Sequence, residues 1–445
     1  MRNWKNILWL SIPSVASFAT GTVTGTVNLI MVGQLGVLAI AIVGVCNIIM
    51  YNVWGFISGI GHTVNYLVAQ NYGANDSKKA VERTHIALYL CLFIGLFVFL
   101  LGTFGAGWLL KLMGGSSELI QQGEDYLRIR FWAMIFSTLS FVFHGFMRGI
   151  GDTKTPMVFS ITSNALMIFF TYTLTYGKWG LPELGLPGAA WSIFIGELVG
   201  LIGCILVYFV KLHPQFHTRA VIPINRQEAK LISWESFKLG GQELALALSM
   251  FIFTMFVTRL GTVPLAANEI ALSVMAFGFM PAFAFGSTAT ILVGQYIGKG
   301  NAQMARRMGT ETATIGSLFI LLLGLVEFLL AEPIARIYTT DPDVYHLAAF
   351  LIEISAFLQV FDGLLNFYAG GLRGIGDTGF LFKTSLVLCF AMFVPLTYLL
   401  TFVFGLNSVG AWISLYTFLM AFGIIVMIRF YKVDWAKVMP KSTEA

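Results

Sequence analysis

Six carboxylates lie inside or at the edges of long apolar runs in this 445-residue chain: Glu197, Glu243, Glu269, Glu327, Glu353 and Asp362. An Asp at the centre of a membrane helix is unfavourable by roughly 2.5–3.5 kcal/mol, so such residues are functional candidates by default. Asp362 is the deepest of the six. It stands in Leu358-Gln-Val-Phe-Asp-Gly-Leu-Leu-Asn366, with Gln359 three residues before it and Asn366 four after, on one helical face. A carboxylate between two amides offers hard oxygen ligands to Na⁺, and an acid shielded from water is also suited to carry a proton. The plainer alternative is a hydrogen-bonded Asp that only links helices.

The other acids are less distinctive. Glu353 precedes Asp362 by nine residues on the same helix, about 13 Å further along its axis. Glu327 is close to the outer end of its helix, where water is expected to reach it. Glu243 follows Gly240-Gly241-Gln242 and Glu269 follows Asn268, each in the first turns of a helix. For both, ligand and helix-linking roles stay open. Glu197 has no partner by spacing. His62 and His144 read as packed or helix-linking side chains. Cys46, Cys91, Cys204 and Cys389 are scattered through apolar runs without a CxxC pair, which argues neither for a disulfide framework nor for a metal site. No resident metal or cofactor is expected. The only ion implied is a transported Na⁺ or H⁺, with a transient Na⁺ at Asp362.

These side chains need elements that hold them in lipid. Hydrophobic residues make up 57% of the chain and charged residues 11%, against about a quarter charged in soluble domains. That composition excludes a soluble enzyme, a disordered chain and a nucleic-acid binder. Continuous runs without charge, such as 87–108, 155–177 and 384–428, argue for helices rather than a barrel. Punctuated by loops, they predict twelve spans: 8–32, 38–66, 86–109, 126–148, 156–177, 187–210, 238–258, 264–293, 310–331, 345–370, 382–404 and 408–429. The N-terminal run lacks a convincing cleavage site and reads as a retained first span. With an even number of spans, 21 of the 27 Lys and Arg residues fall on the side of the termini. The positive-inside rule then places both termini in the cytoplasm, and the net charge of +5 reads as an orientation signal. A prokaryotic cytoplasmic membrane is the expected location, the bilayer the expected partner, and a monomer the expected functional unit.

The chain repeats itself. Arg148-Gly-Ile-Gly-Asp152-Thr recurs as Arg373-Gly-Ile-Gly-Asp377-Thr, an offset of 373 − 148 = 225. Leu35-Gly36 recurs as Leu260-Gly261, and Leu67-Val-Ala-Gln70 as Leu292-Val-Gly-Gln295, at the same offset. Six helices per half make the halves parallel repeats, as in transporters built from two similar bundles. The expected division is 1–210 for the first bundle, 211–237 for a polar cytoplasmic connector and 238–445 for the second bundle with its tail. The loops are short and carry no HExxH or paired-Asp motif, so a separate catalytic module is not expected. The RGIGDT turns read as structural: glycine allows the reversal, and Arg148 and Arg373 suit helix C-termini. Polar residues at matching or nearby depths, Gln70, Gln295, Asn47, Asn268 and Glu269, are candidates for lining a substrate cavity.

The two RGIGDT turns, the paired LVxQ segments and Val27-Asn28-Leu-Ile-Met-Val-Gly33-Gln-Leu-Gly36 together resemble the multidrug and toxic compound extrusion (MATE) family. That family belongs to the multidrug/oligosaccharidyl-lipid/polysaccharide flippase superfamily. The resemblance covers nearly the whole chain. It implies an all-α membrane protein with a V-shaped pair of six-helix bundles, exporting cationic or amphipathic compounds by Na⁺ or H⁺ antiport. It also implies a cation-coupling carboxylate in helix ten, which Asp362 matches. A second lies in the family's helix seven, for which Glu243 is the nearest candidate. In helix one the family's Asp is replaced by Asn28, which cannot exchange a proton, although its amide oxygen can help bind Na⁺. Coupling is therefore expected to run through the second bundle, around Asp362. A lipid-linked flippase is the related alternative, although basic residues mid-span are nearly absent. A gated channel or an integral-membrane enzyme is the alternative of another class.

Overall fold

The computed structural model describes residues 2–220, 223 and 225–440, and among them there is no strand. Twelve helices are long and apolar enough to cross a membrane. They are α1 (Asn3–Gly33), α2 (Leu38–Gly73), α3 (Ser77–Leu112), α4 (Ser117–Gly149), α5 (Lys154–Tyr176), α6 (Leu186–Lys211), α7 (Arg226–Thr258), α8 (Thr262–Gly298), α9 (Ala302–Leu329), α10 (Pro342–Ile375), α11 (Thr378–Val403) and α12 (Asn407–Lys432). Two short helices, His213–Phe216 and Ala331–Tyr338, lie between them.

Several helices overrun the limits read from hydropathy. α3 starts at Ser77 rather than 86, α4 at Ser117 rather than 126, α7 at Arg226 rather than 238 and α9 at Ala302 rather than 310. The apolar run marks the part of a helix that meets hydrocarbon, whereas the helix itself runs on until its cap. At 37 residues α8 spans roughly 55 Å, well beyond an apolar core of about 30 Å. The caps are explicit. Asp76 accepts from Lys79 N at 3.0 Å, Ser116 from Leu119 N at 3.2 Å and Asn301 from Met304 N at 2.9 Å. Asp76 and Asn301 are themselves repeat partners, related by the offset of the RGIGDT turns.

The polar segment expected to connect the halves is thus largely helix from Arg226 onward. Residues 221, 222 and 224 of that connector, Lys441 of the topology count and the rest of the tail to 445 lie outside the described residues. Glu228, Ile232, Glu235 and Leu239 are buried at a spacing of three to four, so this start of α7 is amphipathic rather than a linker.

The chain forms two compact units. One comprises Ala16–Gly240; the other comprises the described residues of Met1–Val15 and Gly241–Lys441. The division falls inside α1 and α7 instead of between helices, at sites again related by the repeat. Pro13 lies in α1 just before its boundary, and Gly240-Gly241 straddle the one in α7. Hydropathy fixes where a helix lies but not which bundle each half of it joins, so sequence placed the cuts at 210 and 238.

Each unit is built on a close crossing of two long helices, the kind small residues permit in membranes. In the first, a Cβ added at Gly145 of α4 would fall 2.6 Å from Gly61 O of α2. In the second, a Cβ at Gly370 of α10 would fall 2.0 Å from Gly286 O of α8, and Thr290 Oγ1 donates to Gly370 O at 3.0 Å. Gly61 and Gly145 are the repeat partners of Gly286 and Gly370. The turns that end α4 and α10 use Gly151 and Gly376 at φ 91° and 81°, where a side chain would be strained. Away from these cores, Phe93, Phe97, Phe104 and Trp108 of α3 stand exposed, as a lipid-facing stripe requires. The four cysteines are free and buried.

Candidate functional site

The second unit gathers polar groups between α9, α10 and α12. Asp362 is 7% exposed on α10. Asn366, one turn later, donates Nδ2 to the Asp362 carboxylate at 3.1 Å and to its backbone oxygen at 2.9 Å. Gln359, on the same face, does not turn toward Asp362. Its Nε2 donates across to Glu327 Oε2 of α9 at 2.9 Å and to Ala356 O at 3.1 Å. Glu327, expected near water, is 4% exposed, because the Gln359 side chain closes over it. Tyr416 of α12 is buried, hydrogen-bonded to Ser355, and lies near both Asp362 and Glu327. Glu353 is exposed, further along α10.

The remaining candidates are dispersed. Glu243 of α7 accepts from Arg373 Nη2 at 3.2 Å, which commits its carboxylate to an ion pair at the end of α10. The repeat partner of Glu243 is Phe18, and the Arg148 guanidinium sits 4.5 Å from the Phe18 ring centroid. One architectural position thus holds a helix-end arginine by charge in one unit and by an aromatic face in the other. Asp152 accepts from Thr155 N at 3.0 Å and Thr155 Oγ1 at 2.6 Å, starting α5. Asp377 accepts from Arg429 Nε at 2.8 Å. Asn28 is half-buried on α1, its Oδ1 shielded and without a partner.

Asn47 is exposed and accepts from Arg130 at 3.0 Å. Asn268 is fully buried and accepts from Trp412 Nε1 at 2.9 Å, while Glu269 beside it is exposed. Gln70 is buried and Gln295 half-buried, both within a turn of the ends of α2 and α8. Glu197 lies within reach of Ser137 and Arg130. His62 packs edge-on to Phe141 at 5.3 Å, and His144 is half-buried. Among the described residues, no group of three or more His, Cys, Asp or Glu is placed to hold a metal ion.

A twofold fold with one asymmetric polar cluster invites comparison with known proteins. The MatE family model matches twice, over residues 13–173 and 240–403, once in each half. The chain belongs to the MatE family. The family is one of membrane transporters, and this MatE chain has the family's twelve-helix, two-repeat organisation.

Its relatives include the probable multidrug resistance protein NorM of Thermotoga maritima, 24% identical, covering 97% of this chain and 93% of that one. The probable NorM of Bradyrhizobium diazoefficiens is 27% identical over 94% and 91% of the two chains. Among solved structures, a multidrug resistance MATE family transporter in an outward-facing conformation superposes with a TM-score of 0.88 at 19% identity, covering 96% of each chain. A MOP superfamily transporter from Pyrococcus furiosus superposes at 0.89, also 19% identical, over 96% and 95%. At such identities these structures show the MATE fold alone.

Two clusters escaped the sequence. Tyr416 carries no local signal, since it faces Asp362 only once α10 and α12 pack. Arg83, counted as an orientation charge, is buried. Its Nε meets Glu228 Oε2 at 2.9 Å and its Nη1 meets Asn71 Oδ1 at 3.0 Å, while Lys79 reaches Glu228 at 2.9 Å. The buried stripe of Glu228, Ile232 and Glu235 in α7 was the signal that could have found it.

Proposed function

We propose that this chain is a secondary multidrug efflux transporter. In this reading it exports cationic or amphipathic small molecules in exchange for Na⁺ or H⁺ by alternating access, with Asp362 as the coupling carboxylate. The observation that carries the reading is Asp362 itself: a buried acid in a membrane helix, held by an amide and part of no ion pair among the described residues. Burying an ionised carboxylate without a counter-charge is strongly unfavourable, so such a group is suited to bind and release a cation. Asn28 cannot serve as a proton carrier, which leaves the second unit as the better equipped for coupling. The names of the NorM relatives, probable multidrug resistance proteins, support the substrate class. The reading includes a monomer in a prokaryotic cytoplasmic membrane with both termini inside, supported by the 21 basic residues on that side.

The test is efflux of a fluorescent organic cation from proteoliposomes under imposed Na⁺ or H⁺ gradients. Asp362→Asn is expected to lower ion-driven efflux at least tenfold while the protein still inserts. Undiminished ion-driven efflux in that variant defeats the assignment.

A further inference from the structure

The reading above accounts for one buried acid of the second unit and leaves another idle. Glu327 is as well buried as Asp362, and neither belongs to an ion pair among the described residues. Gln359 occupies one Glu327 oxygen through its Nε2. The second Glu327 oxygen, Oε1, is sealed from solvent without a hydrogen-bond partner, and so is Gln359 Oε1. The Tyr416 hydroxyl, hydrogen-bonded to Ser355, lies near both acids. Buried polar atoms are nearly always satisfied, so two orphaned oxygens at an unpaired acid point to something that binds there.

The walls are shaped for this arrangement. A Cβ on Gly278 of α8 would fall 1.9 Å from Gln359 Oε1, and one on Gly324 of α9 would fall 3.1 Å from Gln359 Nε2. Glycine at both points leaves room for the Gln359 amide between the two helices. Among the described residues, no cation of the packed elements pairs with either acid. α8 offers bare backbone at Gly278, its titratable side chains Glu269 and Tyr296 being more than two turns away. α10 contributes Asp362 and the exposed Glu353, and α12 contributes Tyr416. The short helix after α9 keeps Glu332 and Arg336 paired with each other.

Carboxylate, amide and phenol oxygens are hard ligands, suited to a small alkali cation and, when that is absent, to protons. We propose that Glu327 is a second cation-exchanging carboxylate, forming with Gln359, Asp362 and Tyr416 a single two-acid pocket for Na⁺ or its proton equivalent. This rests on the assignment of Asp362 as a coupling residue and extends it to a residue on another helix.

The experiment uses the purified full-length chain. Na⁺ is titrated at constant ionic strength with choline as the replacement, and binding is read as the rise in thermal unfolding midpoint. Efflux is measured in parallel across pH without Na⁺. Glu327→Gln keeps the shape of the side chain and a hydrogen bond to Gln359, so a merely helix-linking glutamate tolerates it. The expected result is a Na⁺ midpoint at least tenfold higher. If Na⁺ leaves the parent protein unaffected, a pH profile displaced by a unit or more in Glu327→Gln supports the proton form. A Glu327→Gln protein like its parent in both measurements, beside an inactive Asp362→Asn, overturns the role of Glu327 alone. Two unimpaired variants overturn the Asp362 assignment with it. Should Glu327→Gln fail to fold, Tyr416→Phe, which removes one hydroxyl, takes its place under the same criteria.

Discussion

At the scale of single residues, partners separate the acids that sequence grouped together. Glu243 and Asp362 both follow the pattern of a polar residue in an apolar run, yet Glu243 is paired with Arg373 whereas Asp362 accepts from the Asn366 amide and belongs to no ion pair among the described residues. The prediction for Glu243 is therefore one of stability. Removing one partner of a buried ion pair costs roughly 3–5 kcal/mol, and less where, as here, the carboxylate keeps some contact with water. Glu243→Ala is expected to lower the unfolding temperature, read by circular dichroism in detergent. Glu243→Gln is expected to keep the ion dependence of efflux within about twofold. Loss of Na⁺ or H⁺ dependence in that variant would return Glu243 to the coupling machinery. The same scale explains why Glu327 was misplaced: distance from a helix end is readable, but the cover supplied by Gln359 from another helix is not.

At the scale of elements, the glycine crossings decide how closely the long helices approach. Gly370 against Gly286 and Gly145 against Gly61 bring backbone onto backbone. Over-packing typically destabilises by about 1–3 kcal/mol, and here the obstacle is a carbonyl that cannot move aside. Gly370→Val and Gly145→Val are each expected to lower the yield of monodisperse protein on size exclusion, while Gly379→Ala, where a Cβ meets open space, is expected to leave it unchanged. Equal behaviour of all three would mean that the crossings are looser than they look. Gly145 and Gly370 were legible only as members of the repeat. That a helix needs glycine there follows from which helix it crosses.

At the scale of the molecule, the repeat reappears in geometry: caps, turns, crossings and the unit boundaries inside α1 and α7 recur at the same spacing. The polar chemistry does not repeat. Asp362, Gln359 and Asn366 correspond to Ser137, Met134 and Phe141 in the first half, and Glu327 to Gly102. The places in the first half that match this cluster thus carry no acid. The orientation proposed from the basic residues predicts that a reporter inserted at 214, within the short helix after α6, is protected from the outside in intact cells. Labelling there by a membrane-impermeant reagent would reverse the topology. The sequence by itself determined the twelve helices, the twofold repeat and the prominence of Asp362, because those follow from local hydropathy and spacing along one strand of chain. Only the tertiary structure decided that Gln359 closes over Glu327, that Tyr416 lies near Asp362, that Arg373 pairs with Glu243, and that α1 and α7 are divided between units. Those outcomes depend on which helices pack together, and burial and pairing between helices leave no trace in the periodicity of either one.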